Sequence, residues 1–562
     1  MIGPGWFDRE AALRRLADDP FDVLVVGAGI TGAGCALDAA SRGLRTALID
    51  RDDFASGTSS KSSKLIHGGL RYLQQGEIRL VYQALHERRR LTKNAPHLVK
   101  VLPFLIPMFT GKDGVLNAKL SRALGSAMWM YDLTGGARIG KLHKRISVDE
   151  ALAHMPTLPR ERLASSYLYY DAQADDARLT LTVARTAAVD HGAAVANRVA
   201  LVAVLKDVTG RVRGARVAAD GREFDVRCSA VVNAAGVWSD DVRAIDEGTD
   251  PDSIRPAKGI HITVPWKLVQ NDIAVVVPVP GDKRSVFVVP WGDHTYIGTT
   301  DTDYDGPIDD PQCTPDDIAY LLKAINFSTG GAITPADITG TWAGLRPLVK
   351  SASSGRTADL SRQHKVVPSK SGMITVTGGK LTTYREMAAD TIDEVLEQLG
   401  TAKPEHVARS SRTRNLPLRG AEGYQAVRVG GDELAVHLAD RFGGEARTLL
   451  AMIAKDPVLG EPLVAGLPYV KAEAVYAARH EMASTVDDVL SRRTRARLLD
   501  RDASDAAAPD VAALIGAVLG LSDDEQAAQV VAYRASLAHE RASEAGQIEP
   551  VEAEPVEAGA TT

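Results

Sequence analysis

The sequence predicts an α/β protein with a Rossmann-like nucleotide-binding domain, an inserted domain built on a mixed sheet, and an all-helical C-terminal domain. Three observations predict this arrangement. Residues 21–49 have the order strand, glycine-rich turn, helix, strand, which requires parallel strands joined by a crossover helix. Residues 256–300 contain short apolar runs between Pro and Gly residues. Past about residue 400 the sequence becomes rich in Ala, Leu and Arg with helical periodicity.

Composition bounds the class of protein. A chain of 562 residues is expected to form about two to four domains, and 45% apolar and 25% charged residues are typical of globular proteins. The net charge of -6 argues against nucleic-acid binding. Three cysteines without C-x-x-C spacing indicate neither a disulfide framework nor a metal site. Without a predicted signal peptide or spanning helix, we expect a cytoplasmic protein.

The nucleotide-binding domain begins after a short polar helix predicted at Phe7–Ala17. The run Phe21–Val26 is typical of a parallel strand buried on both faces. A helix is predicted at Ile30–Arg42 and a second strand at Thr46–Ile49. Together these segments form a β-α-β unit.

Further strands follow along the chain. Between residues 195 and 233, Thr209-Gly210 and Asp220-Gly221 predict hairpin turns that lead into a buried strand, Ala230–Asn233. The mixed sheet is predicted to contain the following runs: Ile260–Val264, Ala274–Val277, Ser285–Val289 and Tyr296–Ile297.

The C-terminal helical pattern is clearest at Ala472–Leu499 and Asp510–Leu519. The Glu-, Ala- and Pro-rich end has no aromatic residue and is predicted to be a disordered tail. The predicted boundaries are 20–100, 165–255 and 340–400 for the nucleotide-binding domain, 101–164 and 256–339 for the inserted domain, 401–540 for the helical domain and 541–562 for the tail.

The turn after the first strand carries a dinucleotide-binding signature. Gly27 permits a tight turn, Gly29 lets backbone N–H groups approach a pyrophosphate, and Gly32 lets the helix pack closely on the strand. Asp50 ends the second strand and is placed to accept hydrogen bonds from ribose hydroxyls. Two more segments, Asn233–Gly236 and Thr377–Lys380, favour FAD over NAD, because a long flavin cofactor must be held at its far end.

Several motifs resemble those of one enzyme family. The most specific is the run Thr58–Leu73, and the others are Ala95–Val99, Lys258–His261, Thr299–Asp303, Ala343–Pro347, Gly378–Arg385 and Arg492–Arg495. From about residue 20 to about 530 the chain resembles the FAD-dependent, quinone-linked glycerol-3-phosphate dehydrogenases. The resemblance implies a D-amino-acid-oxidase-like fold, FAD as cofactor, and oxidation of sn-glycerol 3-phosphate to dihydroxyacetone phosphate with electrons passed to a membrane quinone.

The resemblance also implies site residues. The cofactor-binding candidates are Asp22, Gly27, Gly29, Gly32, Asp50, Thr58, Ser59, Lys64, Gly236, Gly378, Gly379, Lys380, Leu381 and Thr382. The candidates for binding the substrate phosphate are Arg71, Tyr72, Arg346, Arg362 and Lys380. For the hydroxyl proton, His261 is the first candidate and His67 the rival, with Arg346 beside them as a catalytic residue. Lys380 is also placed to stabilise a reduced, anionic flavin.

Other functions stay open on the sequence. A glycerol-3-phosphate oxidase would use oxygen as the acceptor, whereas an amino-acid oxidase would need no phosphate anchor. A flavin-carrying sensor, with the helical domain as its working part, would not turn over the substrate. The apolar run Leu102–Phe109 and the cations Lys112, Lys119 and Arg122 fit either a peripheral membrane segment or core packing. Attachment to the cytoplasmic face of a membrane and a homodimer are both left open.

Overall fold

The computed structural model describes residues 7–69, 77–109, 128–132, 141–282, 284–350, 363–402 and 404–547. Two sheets and a C-terminal group of helices make up this part of the chain. Arg71, Tyr72, Arg362, Lys112, Lys119 and Arg122, all named above, lie outside the described residues.

The first sheet contains the predicted β-α-β unit. β1 (Phe21–Val26) lies between β2 (Thr46–Ile49) and the C-terminal half of β10 (Arg222–Asn233), and the three strands are parallel. β7 (Ala194–Ala196) pairs with β2, and β18 (Ile374–Thr377) pairs with β10, again in parallel. All six residues of β1 are buried, as the uninterrupted apolar run predicts for a central parallel strand.

Antiparallel strands complete this sheet. β17 (Lys365–Pro368) pairs with β18 at one edge. β8 (Ala200–Lys206) and β9 (Val212–Ala219) form a hairpin that continues into β10. The two predicted hairpin turns are confirmed, because Gly210 and Gly221 lie between these strands with φ of 82° and 71°.

The second sheet is mixed, as predicted. Its described strands are β3 (Leu65–Ile66), β4 (Lys100–Phe109), β5 (Lys144–Ile146), β6 (Leu163–Gln173), β11 (Ile254–Pro265), β12 (Ala274–Pro278), β13 (Ser285–Trp291), β14 (His294–Gly298), β15 (Thr302–Asp303) and β16 (Gly340–Val349). β4 and β12 are parallel, and the other pairings are antiparallel. β3, β6 and β16 fall in ranges that the sequence analysis assigned to the nucleotide-binding domain, so this sheet extends beyond the predicted inserted domain.

The apolar run Leu102–Phe109 is part of β4. Phe104 and Leu105 are fully buried, and Met108 and Phe109 are each 3% exposed. Of the two interpretations of this run, core packing in the second sheet is therefore the correct one. No helix among the described residues is both long and apolar enough to cross a bilayer.

Helices cover both sheets. Among the described residues of the first 400 positions, the α-helices include Arg9–Asp18, Ile30–Arg42, Ile78–Asn94, Val148–His154, Asp176–Arg185, Ser239–Glu247, Pro315–Thr329 and Tyr384–Leu399. Helix Ile30–Arg42 has the predicted bounds and packs against helices Asp176–Arg185 and Tyr384–Leu399. The first helix begins two residues later than predicted, because the Asp8 side chain caps it.

The C-terminal region is helical, as predicted. Its described α-helices are Tyr424–Arg428, Glu433–Phe442, Ala446–Lys455, Lys471–His480, Ala496–Leu499, Arg501–Leu519 and Asp523–Glu544. The continuous helical pattern predicted at Ala472–Leu499 is interrupted, because Met482 and Arg495 have left-handed backbone conformations. The last helix runs beyond the predicted boundary at residue 540. The rest of the predicted tail, 548–562, lies outside the described residues.

Candidate active site

The glycine-rich turn after β1 leaves no room for side chains. Gly27 has φ of 100°, and a Cβ on this residue would lie 2.7 Å from the carbonyl oxygen of Ala234. A Cβ on Gly32 would lie 1.8 Å from the carbonyl oxygen of Gly27. Strand, turn and helix therefore pack backbone against backbone here, as the dinucleotide signature predicts.

A long cavity starts at this turn and follows the carboxyl ends of the parallel strands. Its walls are formed by residues of the segments 26–31, 50–52, 56–59, 199–201, 234–245 and 378–381, together with Pro347 and Met387. Helix Ile30–Arg42 starts in this wall without a side-chain cap at Gly29, although Ser59 Oγ accepts the N–H of Ile30 at 2.9 Å. A helix N-terminus suits a pyrophosphate, because its first backbone N–H groups have no acceptor within the helix.

Asp50 lies in the same wall, at the end of β2. Its carboxylate accepts hydrogen bonds from the N–H of Ala28 at 2.6 Å and from the N–H of Asp52 at 2.9 Å. Burial raises the pKa of Asp50 to about 6, although the two backbone hydrogen bonds act to lower it. A carboxylate has about four acceptor positions, so this group retains capacity for ribose hydroxyls.

Most predicted cofactor residues line this cavity. They are Gly27, Gly29, Asp50, Thr58, Ser59, Gly236, Gly378, Gly379, Lys380 and Leu381. Asp22 does not, because it lies at the opposite end of β1 from the turn, and its carboxylate binds the Arg45 guanidinium at 2.7 Å. The prediction for Asp22 is therefore wrong: cofactors bind at the carboxyl ends of parallel strands.

A second cavity adjoins the first and shares Thr58, Pro347 and the segment 379–381 with it. His67, His261, Arg346, Lys380 and Thr382 line this second cavity. The structure thus brings together the three predicted catalytic residues and two further predicted site residues. They come from separate parts of the sequence.

His67 is held by a buried carboxylate. Its Nδ1 lies 2.6 Å from Asp171 Oδ2, and Asp171 is fully buried while the imidazole is 23% exposed. Burial acts to raise the pKa of Asp171, but the charges of His67 and Arg88 lower this pKa to about 2. The backbone N–H of His67 also donates to Thr382 Oγ1 at 3.1 Å. The ring is thereby oriented at Nδ1, with Nε2 left for other partners.

His261 is buried in a different manner. Its Nε2 lies 2.9 Å from Ser63 Oγ, and its ring stacks on Trp342 at 4.6 Å with an interplanar angle of 10°. Burial and the charges of Lys64 and Arg346 hold the pKa of His261 well below its ordinary value. Within the described part of the chain, its buried Nδ1 has no hydrogen-bond partner. His261 is therefore a neutral hydrogen-bonding group.

Arg346 lies on β16 and faces the strand end at Thr299 and Asp301. Its guanidinium pairs with Asp301 at 3.0 Å and donates to the Thr300 carbonyl at 3.3 Å. The side chain is 28% exposed, so part of the guanidinium fork is accessible from the cavity. Arg346 is thus a partly neutralised cation that can bind an anionic substrate group.

Lys64 does not line the cavity. Its ammonium is 1% exposed and contacts the Ser60 carbonyl at 3.1 Å and Asp176 at 3.3 Å. Burial, together with the neighbouring Arg495 charge, lowers the pKa of Lys64 to about 7. The structure therefore does not place the Lys64 ammonium with the other predicted cofactor residues, because a buried ammonium requires a buried carboxylate and Asp176 supplies it.

Two residues that the sequence analysis missed complete the site. Asp171 orients His67, and Ser63 contacts His261. Ser63 belongs to the specific run Thr58–Leu73 but was not singled out there. Asp171 follows two tyrosines in the buried strand β6, and an acid in such a strand is the signal that could have identified it.

Comparisons with known proteins agree with this geometry. A family model described as FAD dependent oxidoreductase matches residues 22–385, and one described as C-terminal domain of alpha-glycerophosphate oxidase matches residues 411–526. Glycerol-3-phosphate dehydrogenase 2 of Mycobacterium tuberculosis is 40% identical over 557 residues, which cover 97% of this chain and 92% of that protein. The chain belongs to the FAD-dependent glycerol-3-phosphate dehydrogenase family.

Other members of this glycerol-3-phosphate dehydrogenase family are similarly close. The human mitochondrial glycerol-3-phosphate dehydrogenase is 38% identical, with 95% of this chain and 75% of that protein covered. The crystal structure of the glycerol-3-phosphate dehydrogenase from Bacillus halodurans complexed with FAD has a TM-score of 0.75 and 27% identity, covering 98% of this chain and 100% of that one. The predicted fold class is confirmed, and so is FAD as the cofactor.

Proposed function

We propose that this protein oxidises sn-glycerol 3-phosphate to dihydroxyacetone phosphate and passes the electrons to a membrane quinone. The observation that carries the proposal is the second cavity, in which His67, His261, Arg346 and Lys380 meet at the end of the dinucleotide cavity. The names of the relatives at 38–40% identity support the same substrate.

The residues of the first cavity fit FAD. Gly27 and Gly32 admit no side chain, and the cavity reaches from the Asp50 carboxylate to Lys380. Gly378 and Gly379 have φ of 76° and 80°, so the backbone itself forms the wall beside the second cavity. FAD held by these residues would supply the acceptor for a hydride from the carbon that carries the substrate hydroxyl.

Arg346 and Lys380 are proposed to bind the substrate phosphate. Both line the second cavity, and a guanidinium fork together with an ammonium matches a dianionic phosphate. Arg71, Tyr72 and Arg362 are part of the same proposal on the strength of the sequence motifs. Binding of the phosphate fixes the distance of the reacting carbon from the flavin end of the first cavity.

The geometry supports His67 as the proton acceptor, in place of the first candidate of the sequence analysis. Asp171 orients the His67 ring at Nδ1, which is the arrangement of a base and its orienting acid. In contrast, His261 is bound to Ser63 at Nε2 and is resistant to protonation. We propose that His67 takes the hydroxyl proton at Nε2 while His261 Nδ1 positions the substrate.

The electron acceptor is proposed from the names of the relatives. Relatives named dehydrogenase support a quinone, whereas the name of the C-terminal family model supports oxygen, the acceptor of an oxidase. A quinone acceptor requires access to a bilayer. We therefore include a cytoplasmic location with peripheral attachment to the membrane in the proposal; a homodimer is a separate hypothesis.

The test is anaerobic reduction of the bound flavin. It is monitored by the absorbance band that oxidised flavins have at about 450 nm. Glycerol 3-phosphate is expected to bleach this band, and glycerol without phosphate is the matched control. The reduced protein is then mixed with a soluble quinone or with oxygen. Fast reoxidation by the quinone and slow reoxidation by oxygen support the dehydrogenase. The opposite ratio supports an oxidase, and no bleaching supports a flavin-carrying sensor.

A further inference from the structure

We propose that Arg495, from the C-terminal helical domain, is a positioning residue for the active site. It fixes the segment 60–64 in the shape that holds the Ser63 hydroxyl against His261. The kinetic part of this inference rests on the proposed function. The motif Arg492–Arg495 thereby acquires a role beyond joining domains.

The first step is the placement of Arg495. Its side chain is 1% exposed, and its guanidinium donates to Asp176 Oδ1 at 3.0 Å and to the carbonyl of Ser60. The same group donates to the Ser491 carbonyl at 2.9 Å. Its φ of 74° is uncommon for a residue with a side chain and persists only where surrounding contacts fix it. Arg495 therefore extends from one domain into the loop of another.

The second step is the carboxylate that Arg495 shares with the segment. Asp176 is fully buried and accepts from the N–H of Ser62 at 3.0 Å and from its hydroxyl at 2.7 Å. The Lys64 ammonium contacts the same carboxylate at 3.3 Å. Arg495 and Asp176 thus bind the segment 60–64 together, one through the carbonyl of Ser60 and the other through Ser62 and Lys64.

The third step leads from the segment to the cavity. The carbonyls of Ser62 and Ser63 accept from Trp342 Nε1 at 3.2 Å and from the Tyr296 hydroxyl at 2.9 Å. Ser63 Oγ then contacts His261 Nε2 at 2.9 Å, and His261 lies against Trp342. Removal of the Arg495 fork leaves the Lys64 ammonium to hold both the Ser60 carbonyl and the Asp176 carboxylate, which loses one of its two cations. The segment can then shift, and His261 loses its fixed partner.

The test compares Arg495→Met with a matched variant, Arg419→Met. Arg419 also joins the helical domain to the first domain, because its buried side chain pairs with the partly exposed Asp190 at 2.8 Å. Within the helical domain it pairs with Glu445 at 2.7 Å, and it does not contact the segment 60–64. For Arg495→Met we expect kcat for flavin reduction to fall about 100-fold with FAD content retained. Arg419→Met is expected to lose thermal stability with kcat unchanged. Equal kcat losses in the two variants would overturn the inference.

A second variant guards against a failure to fold. Arg495→Lys keeps the buried charge but cannot bind Ser60 and Asp176 as a fork, so we expect about a tenfold loss of kcat in a folded, flavin-containing protein. Wild-type kcat in Arg495→Lys would show that charge alone matters and would overturn the positioning role.

The route through Ser63 has its own measurement. If Arg495 acts through Ser63, the double variant of Arg495→Lys and Ser63→Ala should be no slower than the slower single variant. Multiplied losses would overturn this route.

A measurement without substrate distinguishes failure of the proposed function from failure of this inference. If glycerol 3-phosphate does not reduce the wild-type flavin, the proposed function fails. The visible circular dichroism of the bound flavin then decides the inference. A change in Arg495→Lys that is absent in Arg419→Met supports the positioning role, and identical spectra overturn it.

Discussion

At the scale of single residues, His67 and Asp171 form the strongest chemical feature of the second cavity. His67→Gln keeps a hydrogen-bonding side chain but cannot take a proton, so we expect kcat to fall about 10²–10⁴-fold. The measurement is the rate of anaerobic flavin reduction at saturating substrate. His154→Gln is the control. His154 pairs with Asp272 and lines neither cavity, so this variant should leave the rate unchanged.

The relative effect of the two active-site histidines is also predicted. His261→Gln should lower kcat less than His67→Gln does, because His261 is proposed to position the substrate and not to take its proton. A larger loss in His261→Gln would return His261 to the role that the sequence analysis gave it.

Asp50 predicts a pH dependence of FAD affinity. The pKa of this carboxyl is about 6 in the protein without cofactor, and ribose hydroxyls need its ionised form as the acceptor. Below pH 6 we expect the Kd for FAD to rise by up to about tenfold per pH unit. Fluorescence titration of the apoprotein between pH 5 and 8 measures this. Asp50→Asn should remove the dependence, whereas Asp52→Asn should only shift it to lower pH.

Protonation of Asp50, which is expected to weaken FAD binding, is expected to stabilise the folded apoprotein. Because the folded-state pKa of Asp50 is raised, its contribution to stability is complete below the ordinary pKa of 3.8 and is lost as pH rises through about 6. For this group alone, the apoprotein is therefore expected to become more stable in the range where FAD binds less well.

The candidate site shows which residue roles a sequence can predict. His67, His261, Arg346 and Lys380 were predicted from specific motifs, and the structure brings them to one cavity. Their partners were not predicted, because the contacts of Asp171 with His67 and of Ser63 with His261 span 104 and 198 residues. The burial of the Lys64 ammonium was not predicted for the same reason: its partner Asp176 lies 112 residues away.

At the scale of secondary structure, elements set by local pattern were predicted well. β1, helix Ile30–Arg42 and β2 have the predicted bounds, since an apolar run, a glycine turn and a helical period are all local signals. The break after Lys471–His480 was not predicted. The chain has a left-handed residue, Met482, at this break and a second one, Arg495, further on. Arg495 makes distant contacts with Ser60 and Asp176, which a local pattern cannot show.

Gly340, in β16, lies where the helical domain packs closely against the second sheet. A Cβ on Gly340 would lie 2.3 Å from the carbonyl oxygen of Leu498, which is backbone and cannot move aside. Gly340→Ala is expected to lower the free energy of unfolding by about 1–3 kcal/mol. Chemical denaturation checks this. Gly331→Ala is the control, because, among the described residues beyond its chain neighbours, its new Cβ would meet no backbone atom within 4 Å and would contact the Thr329 side chain, with the hydroxyl at 3.0 Å.

At the scale of the whole molecule, a buried ion-pair cluster joins the first domain to the helical domain. Asp53 is 1% exposed and accepts from Arg493 through both carboxylate oxygens, at 2.7 and 2.8 Å, and from Arg492 at 2.7 Å. The domain boundaries predicted from the sequence could not show that ion pairs join the two domains, because they divide the chain by local composition alone.

Asp53→Asn is predicted to be costly, because it leaves the buried Arg493 without its main partner. We expect a loss of about 3–5 kcal/mol in the free energy of unfolding. Asp220→Asn removes the pair with Arg9, in which Asp220 is 52% exposed, and should cost only about 0–1 kcal/mol. Similar losses in the two variants would contradict the structural role of the cluster.

The contact between Asp53 and Arg493 also has a consequence for the order of synthesis. The two residues are 440 positions apart, so at about 5–20 residues per second the ribosome adds Arg493 roughly 20–90 s after Asp53. During that interval the earliest β-α-β unit holds a carboxylate whose cation does not yet exist. Asp176 has the Lys64 ammonium as a partner from the start, but its second cation, Arg495, is added only later. We therefore expect the nascent first domain to stay partly open and dependent on chaperones until the arginine motif has left the ribosome.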